Sequence, residues 1–402
     1  MIIERLLATT SAATLALLLA GCVSERIERR SSRFILPDPD SVETSDTGDR
    51  GAQFRWLSIG VLEYDDFSIP LLSPDARWIV SRSGAAPGWE EILAEPESTP
   101  IPSAIFTISG IDGSSGLTIH KEIRGPWILG RGADERGFLV EEPLEGGARR
   151  IGRVGWESGE VTWLVDEGDV AAFASIGPGG DLAYSRRGID DPVFDLVLRL
   201  GDGSGTWVLP SRWERSWIDP ILAPDGRTLF ALSRGDGTVE IAWTRTTDES
   251  RFRDGISTHP ISVRTTPRRA HAMLAPQVGA ASPPGPKARI IFLHPDLGRL
   301  VEWSPETDLA RPFPEGTINA AMLDDDSGIA ATRDGIQIVQ LADEIGRPPT
   351  SLKLAEDTAI PRRIEPLEGA RRFLLLRPNA GRYEVMVGEL LEESSGESSG
   401  ES

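Results

Sequence analysis

The sequence is short of cysteine, of histidine, of positive charge and of long apolar runs. One cysteine, Cys22, stands in 402 residues, which excludes an intramolecular disulfide. The four histidines, His120, His259, His271 and His294, stand alone at wide spacing. Without cysteine partners or spaced histidine pairs they offer no zinc site, so no metal is expected. Lys and Arg number 42 against 62 Asp and Glu, a formal net charge of −20. Such a surface repels phosphate backbones, so no nucleic acid is expected as a partner, and it gains nothing at an anionic membrane without an anchor. H-E-x-x-H, G-x-S-x-G and G-x-x-x-x-G-K-[ST] are all missing, so no catalytic residue and no cofactor is assigned. No long stretch between the two ends keeps a 3.6-residue apolar period, which speaks against a helical fold.

What is present begins at the ends. The chain opens MIIERLLATTSAATLALLLAGCVSE, with Arg5 ahead of an uncharged, mostly apolar run from Leu6 to Gly21. That run has signal-peptide length and falls short of the ~20 apolar residues a spanning helix needs. It ends in Leu19-Ala20-Gly21-Cys22, which resembles the lipobox of bacterial lipoproteins. The resemblance implies that Cys22 becomes the acylated first residue of a mature envelope protein, with the membrane as its partner through that lipid. Val23 follows, where in enterobacteria an aspartate would signal inner-membrane retention, so the expected address is the outer membrane, facing the periplasm. Residues 23–53 keep no period and read as a tether spanning roughly 30 Å. The acidic end EESSGESSGES, from Glu392, reads as disordered. The expected organisation is therefore a signal peptide over 1–21, the lipidated cysteine and tether over 22–53, a folded domain over 54–391 and a tail over 392–402.

The folded domain reads as all-β. Short runs such as RWIVS (77–81), AIFTIS (104–109), EVTWLV (160–165), RTLFALS (227–233) and RFLLLR (372–377) have strand length and composition. Asp-Gly recurs at 112–113, 202–203, 225–226, 236–237, 254–255 and 334–335, and this dipeptide favours hairpin turns between antiparallel strands. A larger repeat lies above this one. SPDARWIVSRSG (73–84), GPGGDLAYSRRG (177–188), APDGRTLFALSRGDG (223–237) and LDDDSGIAATRDG (323–335) each join a turn, an apolar strand, an arginine and a second turn. First turns at Ser73, Ala133, Gly177, Ala223, Ala275, Asp324 and Pro366 give a mean spacing of about 49 residues, the range of four-stranded propeller blades.

These units resemble the repeats of WD-like and Tol-type periplasmic β-propellers. Pro74-Asp75, Pro224-Asp225-Gly226 and the Ser-Arg or Thr-Arg pairs at 81–82, 185–186, 233–234 and 332–333 carry the resemblance. The second unit (GADERGFLVEE) and the fifth (LAPQVG) depart from it. The resemblance implies a single propeller of seven blades, with six or eight open. The run QFRWLSIGVLE (53–63) is expected to complete the last blade beside 362–391, which would remove exposed sheet edges.

Candidate contact residues follow from the repeat. Arg82, Arg186, Arg234, Arg333 and Arg377 recur at the ends of second strands, with His294 at the comparable place in the fifth unit. They would either form a partial cationic rim for an acidic ligand or a partner's carboxylate, or pair internally with carboxylates such as Asp236 and Asp334. Trp89, Trp213 and Trp217 read as loop residues, either tucked over a blade edge or available for contacts, whereas Trp163, Trp207, Trp243 and Trp303 read as packing between blades. Asp324-Asp325-Asp326 lacks the closing Glu of a calcium loop, since Gly335 stands there, and reads as a solvated turn. The expected function is a monomeric, non-catalytic binding or scaffolding module for an envelope protein, a peptide or another ligand. The rival is a propeller enzyme acting on glycans or peptides at the central funnel.

Overall fold

The structure, a computed structural model, describes residues 54–390 except 64–69, 85–102, 113–115, 178, 212–214, 224, 236–237, 263–287, 295–298, 307–308, 323–325, 333–334, 342–349, 356–362, 367–371 and 380–381. Expectations for the signal peptide, Cys22, the tether and the tail fall outside the described residues.

The described chain is almost entirely β. It opens with β1 (Phe54–Glu63). A first sheet pairs β2 (Leu71–Leu72), β3 (Trp78–Ser83), β4 (Ala104–Asp112) and β5 (Gly116–Gly125) in chain order. The second unit is β6 (Ile128–Ala133), β7 (Gly137–Pro143), β8 (Arg149–Gly155) and β9 (Val161–Val165); the third is β10 (Val170–Ile176), β11 (Leu182–Arg187), β12 (Asp195–Arg199) and β13 (Thr206–Leu209). A single parallel bridge, Val170 to Arg149, fuses these two into one eight-stranded sheet. The fourth unit holds β14 (Ser216–Leu222), β15 (Thr228–Gly235), β16 (Thr238–Arg245) and, after the short helix α1 (Glu249–Asp254), β17 (Ser257–Ser262). Next come β18 (Ile290–His294), β19 (Arg299–Ser304) and β20 (Leu309–Pro312), then β21 (Thr317–Met322), β22 (Ser327–Thr332), β23 (Gly335–Gln340) and β24 (Thr350–Ala355). The last sheet runs β25 (Arg363–Pro366), β26 (Arg372–Asn379), β27 (Arg382–Leu390) and then β1, which pairs antiparallel with β27 from Phe54 opposite Leu390 to Glu63 opposite Arg382.

Repeated four-stranded meanders of this kind are the blades of a β-propeller. Strand composition follows position in the blade. The innermost strand β10, VAAFASI, is buried at every residue, so it has no polar face to show. The outermost strand β5, GLTIHKEIRG, is exposed from Thr118 to Glu122. Pairing breaks register in the inner strands β10 and β14, between Ala172 and Ser175 and between Ile218 and Ile221. The extra residues are accommodated with Phe173 and Asp219 at φ of 58° and 53°. Left-handed backbone at a phenylalanine is strained, and the surrounding packing has to impose it.

Neighbouring units share apolar clusters. Leu129, Phe138 and Val154 of the second unit pack with Val80, Phe106 and Ile108 of the first. Leu139 and Ile151 pack with Ile176, Leu182 and Tyr184 of the third. Ile291, Leu300 and Phe313 pack with Met322 and Ala330, and Ile329 and Ala331 pack with Phe373 and Leu375. The last sheet also packs on the first, where Leu374, Leu376 and Val385, with Ile59 and Leu62 of β1, meet Ile79 of β3 and the partly buried Leu72, Ile111 and Leu117. At about 1.5–3 kcal/mol for each large side chain removed from water, these clusters between sheets provide much of the folding free energy in a chain without cross-links.

Candidate functional site

The repeated first turn is held by its aspartate. In the first unit the Ser73 carbonyl accepts from Ala76 N–H at 2.9 Å, in the third Gly177 accepts from Gly180 at 2.9 Å, and in the fourth Ala223 accepts from Gly226 at 3.0 Å. Asp225 Oδ1 then accepts from the backbone N–H groups of Arg227 and Thr228, both at 2.9 Å, and Thr228 Oγ1 donates to its Oδ2 at 2.7 Å. Asp75 accepts from Arg77 N–H at 3.1 Å and from Ser73 Oγ at 2.6 Å. The second unit looks divergent in sequence, yet Asp134 does the same: its Oδ1 accepts from Arg136 N–H at 2.9 Å and from Gly137 N–H at 2.8 Å. Side chains that bond the backbone two and three residues on replace missing ladder bonds and stiffen a turn. Arginines on third strands brace two of these carboxylates. Arg153 Nη1 lies 2.8 Å from Asp134 Oδ2, and Arg245 Nη1 lies 3.5 Å from Asp225 Oδ2.

Between the second and third units this rim of turns opens into a cleft of about 260 Å³. Leu164, Ile176, Leu182 and Leu200 supply its apolar lining. Arg136, Arg153 and Arg199 line it as well, with Asp134 and Glu135, so cations exceed anions by one. Each arginine arrives by a different route. Arg136 rides on the turn that Asp134 fixes, Arg153 comes from β8, and Arg199 ends β12 and donates from Nη1 to the Leu164 carbonyl. The mouth is made of glycine turns. A Cβ on Gly201 would run into the Gly179 carbonyl oxygen, so the two loops can approach only because this position has no side chain. Gly201 N–H donates to Asp181 Oδ1 at 2.7 Å, which ties the two loops together. Beneath the lining lies Tyr184 of β11, whose burial, with the Glu167 charge second, pushes its phenol up to about 12.

The arginines at second-strand ends do not share one fate. Arg82 is buried; its Nε donates to the Trp127 carbonyl and its Nη1 to the Gly84 carbonyl, both at 3.2 Å, and its guanidinium stands 6.0 Å from the Phe106 ring. Arg186 Nη1 sits 3.3 Å from Glu167 Oε2. Arg377 Nε donates to Glu384 Oε2 at 3.1 Å. These three are engaged within the protein. Arg234 is half-buried, and desolvation lowers its pKa from the usual arginine value. Arg333 lies outside the described residues, and His294 is described only as backbone at the end of β18.

Trp217 corrects the expectation of a loop contact. It lies in β14, is buried, and donates from Nε1 to the Pro210 carbonyl at 3.2 Å. Trp89 and Trp213 fall outside the described residues. Asp326, from the acidic cluster, takes Arg311 Nη1 at 3.3 Å, while Asp324 and Asp325 are not described. Among the described residues no three His, Cys, Asp or Glu side chains are grouped to hold a metal. Sequence reasoning missed the cleft, because its residues come from five separate stretches. The clusters GPGG (177–180) and GDGSG (201–205) are the signal that two side-chain-free turns could meet.

No family model matches the chain, and no curated protein matches it. Among solved structures it is similar to the oligogalacturonate lyase of Vibrio parahaemolyticus, at 10% identity and a TM-score of 0.49, over 90% of this chain and 99% of that one. It is similar to the β-propeller domain of Cps50 (Swd1) from Myceliophteria thermophila, at 11% identity and a TM-score of 0.48, over 84% of this chain and all of that one. It is similar to TolB from Acinetobacter baumannii at 11% identity and a TM-score of 0.34, over 74% of this chain and 57% of TolB. At these scores no activity carries over, and the propeller fold rests on the strand order and packing of this chain itself.

Proposed function

We propose that the chain is a lipid-anchored lipoprotein of the bacterial envelope whose β-propeller is a non-catalytic binding module. In this reading the propeller has seven blades closed by β1, and the cleft between the second and third blades holds the ligand. The cleft carries the proposal: three guanidinium groups and an apolar lining meet on a rim whose turns are held by side-chain hydrogen bonds. Pre-organised donors bind without ordering costs of their own. The pairing of β1 with β27 and the packing of the last sheet on the first support closure of the ring. The sequence Leu19-Ala20-Gly21-Cys22 supports the anchor.

The binding reading is tested with a photoreactive residue at position 135, inside the cleft, and at position 227, on the exposed turn of the fourth unit. Both proteins are expressed in the bacterial envelope and irradiated. A discrete adduct from 135 and none from 227 is expected; equal labelling, or none, overturns it. Labelled palmitate tests the anchor, with incorporation expected into the wild type and lost in Cys22→Ser.

A further inference from the structure

We propose that the cleft receives the C-terminal carboxylate of a peptide whose last side chain is aliphatic, an inference that rests on reading this cleft as the ligand site. Size comes first. At about 260 Å³ the cleft is smaller than the ~300–1,000 Å³ of pockets that enclose a whole small molecule, so it takes the end of a ligand. Chemistry comes second. An apolar lining of Leu164, Ile176, Leu182 and Leu200 beside a guanidinium wall matches an aliphatic group adjacent to an anion, which is what a peptide's last residue presents. Guanidinium forks bind carboxylates in bidentate fashion.

The arginines divide the work. Arg153 is held by Asp134, and Arg199 is oriented by the Leu164 carbonyl with its remaining N–H groups left to donate. Arg136 is exposed, and among the described residues no carboxylate pairs with its guanidinium. Arg136 and Arg199 are therefore the groups that meet the carboxylate. The same wall also carries Glu135, exposed and negative. It opposes a second negative charge, so a single terminal carboxylate fits better than an acidic run or a glycan with a charge on alternate sugars.

The test uses the purified full chain and fluorescein-labelled peptides ending in Gly-Ser-Leu, as free acid or as amide, read by anisotropy. The acid is expected to bind, and amidation or a terminal serine to weaken binding roughly tenfold or more. The Arg136→Gln, Arg199→Gln double variant should lose the same factor with an unchanged urea midpoint. Arg136→Glu alone serves as the surface variant if the double one is unstable, and Arg136→Lys should recover only part of the affinity. Glu135→Gln should admit a glutamate at the penultimate position. Equal binding of acid and amide, retained binding by a folded Arg136→Glu, or preference for a Glu-rich amidated peptide or a hyaluronan tetrasaccharide would overturn the inference. If the peptides fail while position 135 still gives its photo-adduct, the C-terminal specificity falls and the cleft as ligand site stands. If that adduct is also missing, both fall.

Discussion

The fifth unit and the cleft between the second and third units use arginine and carboxylate to opposite ends. In the fifth unit Glu302 of β19 is 1% exposed and lies between two buried arginines, with Arg311 Nε at 2.9 Å and Arg289 Nε at 3.5 Å. Arg311 also reaches Asp326 of the next sheet at 3.3 Å. These charges are consumed by each other, and what they secure is the alignment of adjacent strands and sheets. At the cleft the pair Arg153–Asp134 is partly exposed, and Arg136 and Arg199 face water. Burial decides the role: a desolvated arginine must be paired within the fold, whereas one at a rim keeps its hydration until a ligand replaces it.

The comparison can be broken or sharpened by substitution. Glu302→Gln should have the largest effect, about 3–5 kcal/mol, because it removes the carboxylate charge that lies between two buried guanidinium groups. Replacing Arg289, Glu302 and Arg311 together by apolar residues should recover most of that loss in a urea titration. A mild Glu302→Gln would mean that the fifth unit is wetter than it looks and no different from the cleft.

Tyr184 gives the next effect, beneath the cleft lining. Its folded pKa, about 12, lies above the ordinary tyrosine value of ~10, so its stabilising contribution is whole below pH 10 and lost as pH climbs from 10 through 12. The loss should reach roughly 2–3 kcal/mol. Tyr184→Phe should flatten the stability curve over that window. An unchanged alkaline slope would show that water reaches the apolar cluster under the cleft.

Asp134→Ala removes two turn hydrogen bonds and the partner of Arg153, and should cost about 1–3 kcal/mol by thermal melting. Arg136→Ala should fall within about 0.5 kcal/mol of wild type, as an exposed side chain with no ion-pair partner among the described residues. A destabilisation as large as that of Asp134→Ala would assign Arg136 to the structure and withdraw it from binding.

Much of the fold was legible because its signals are local. The runs RTLFALS and RFLLLR became β15 and β26, and the turns ahead of 78, 182 and 228 lie where the repeat placed them. The role of the turn aspartate was half legible. Pro-Asp-Gly announces a turn, but GADERG hides the equivalent Asp134 because what recurs is a pattern of hydrogen bonds two and three residues on. The site was hardly legible. Trp217 read as a loop residue because Pro210 and Arg212 break the pattern ahead of it, and only the pairing of Trp217 with Ser233 places it in a strand.

The sequence by itself determined an all-β repeat chain without disulfides, because strand period, turn chemistry and cysteine count act within a few residues of each other. Tertiary structure decided which charges are spent and which remain. Arg153 finds Asp134 across the strands of one sheet, Arg245 finds Glu306 in the next sheet at 2.5 Å, and Arg199 turns to the Leu164 carbonyl of the preceding unit. Those partners are far apart in sequence, and identical arginines at identical repeat positions, Arg82 and Arg186, end in a buried carbonyl cage and a half-exposed ion pair. Coulomb and desolvation energies depend on distance and burial, and only the packed blades set either one.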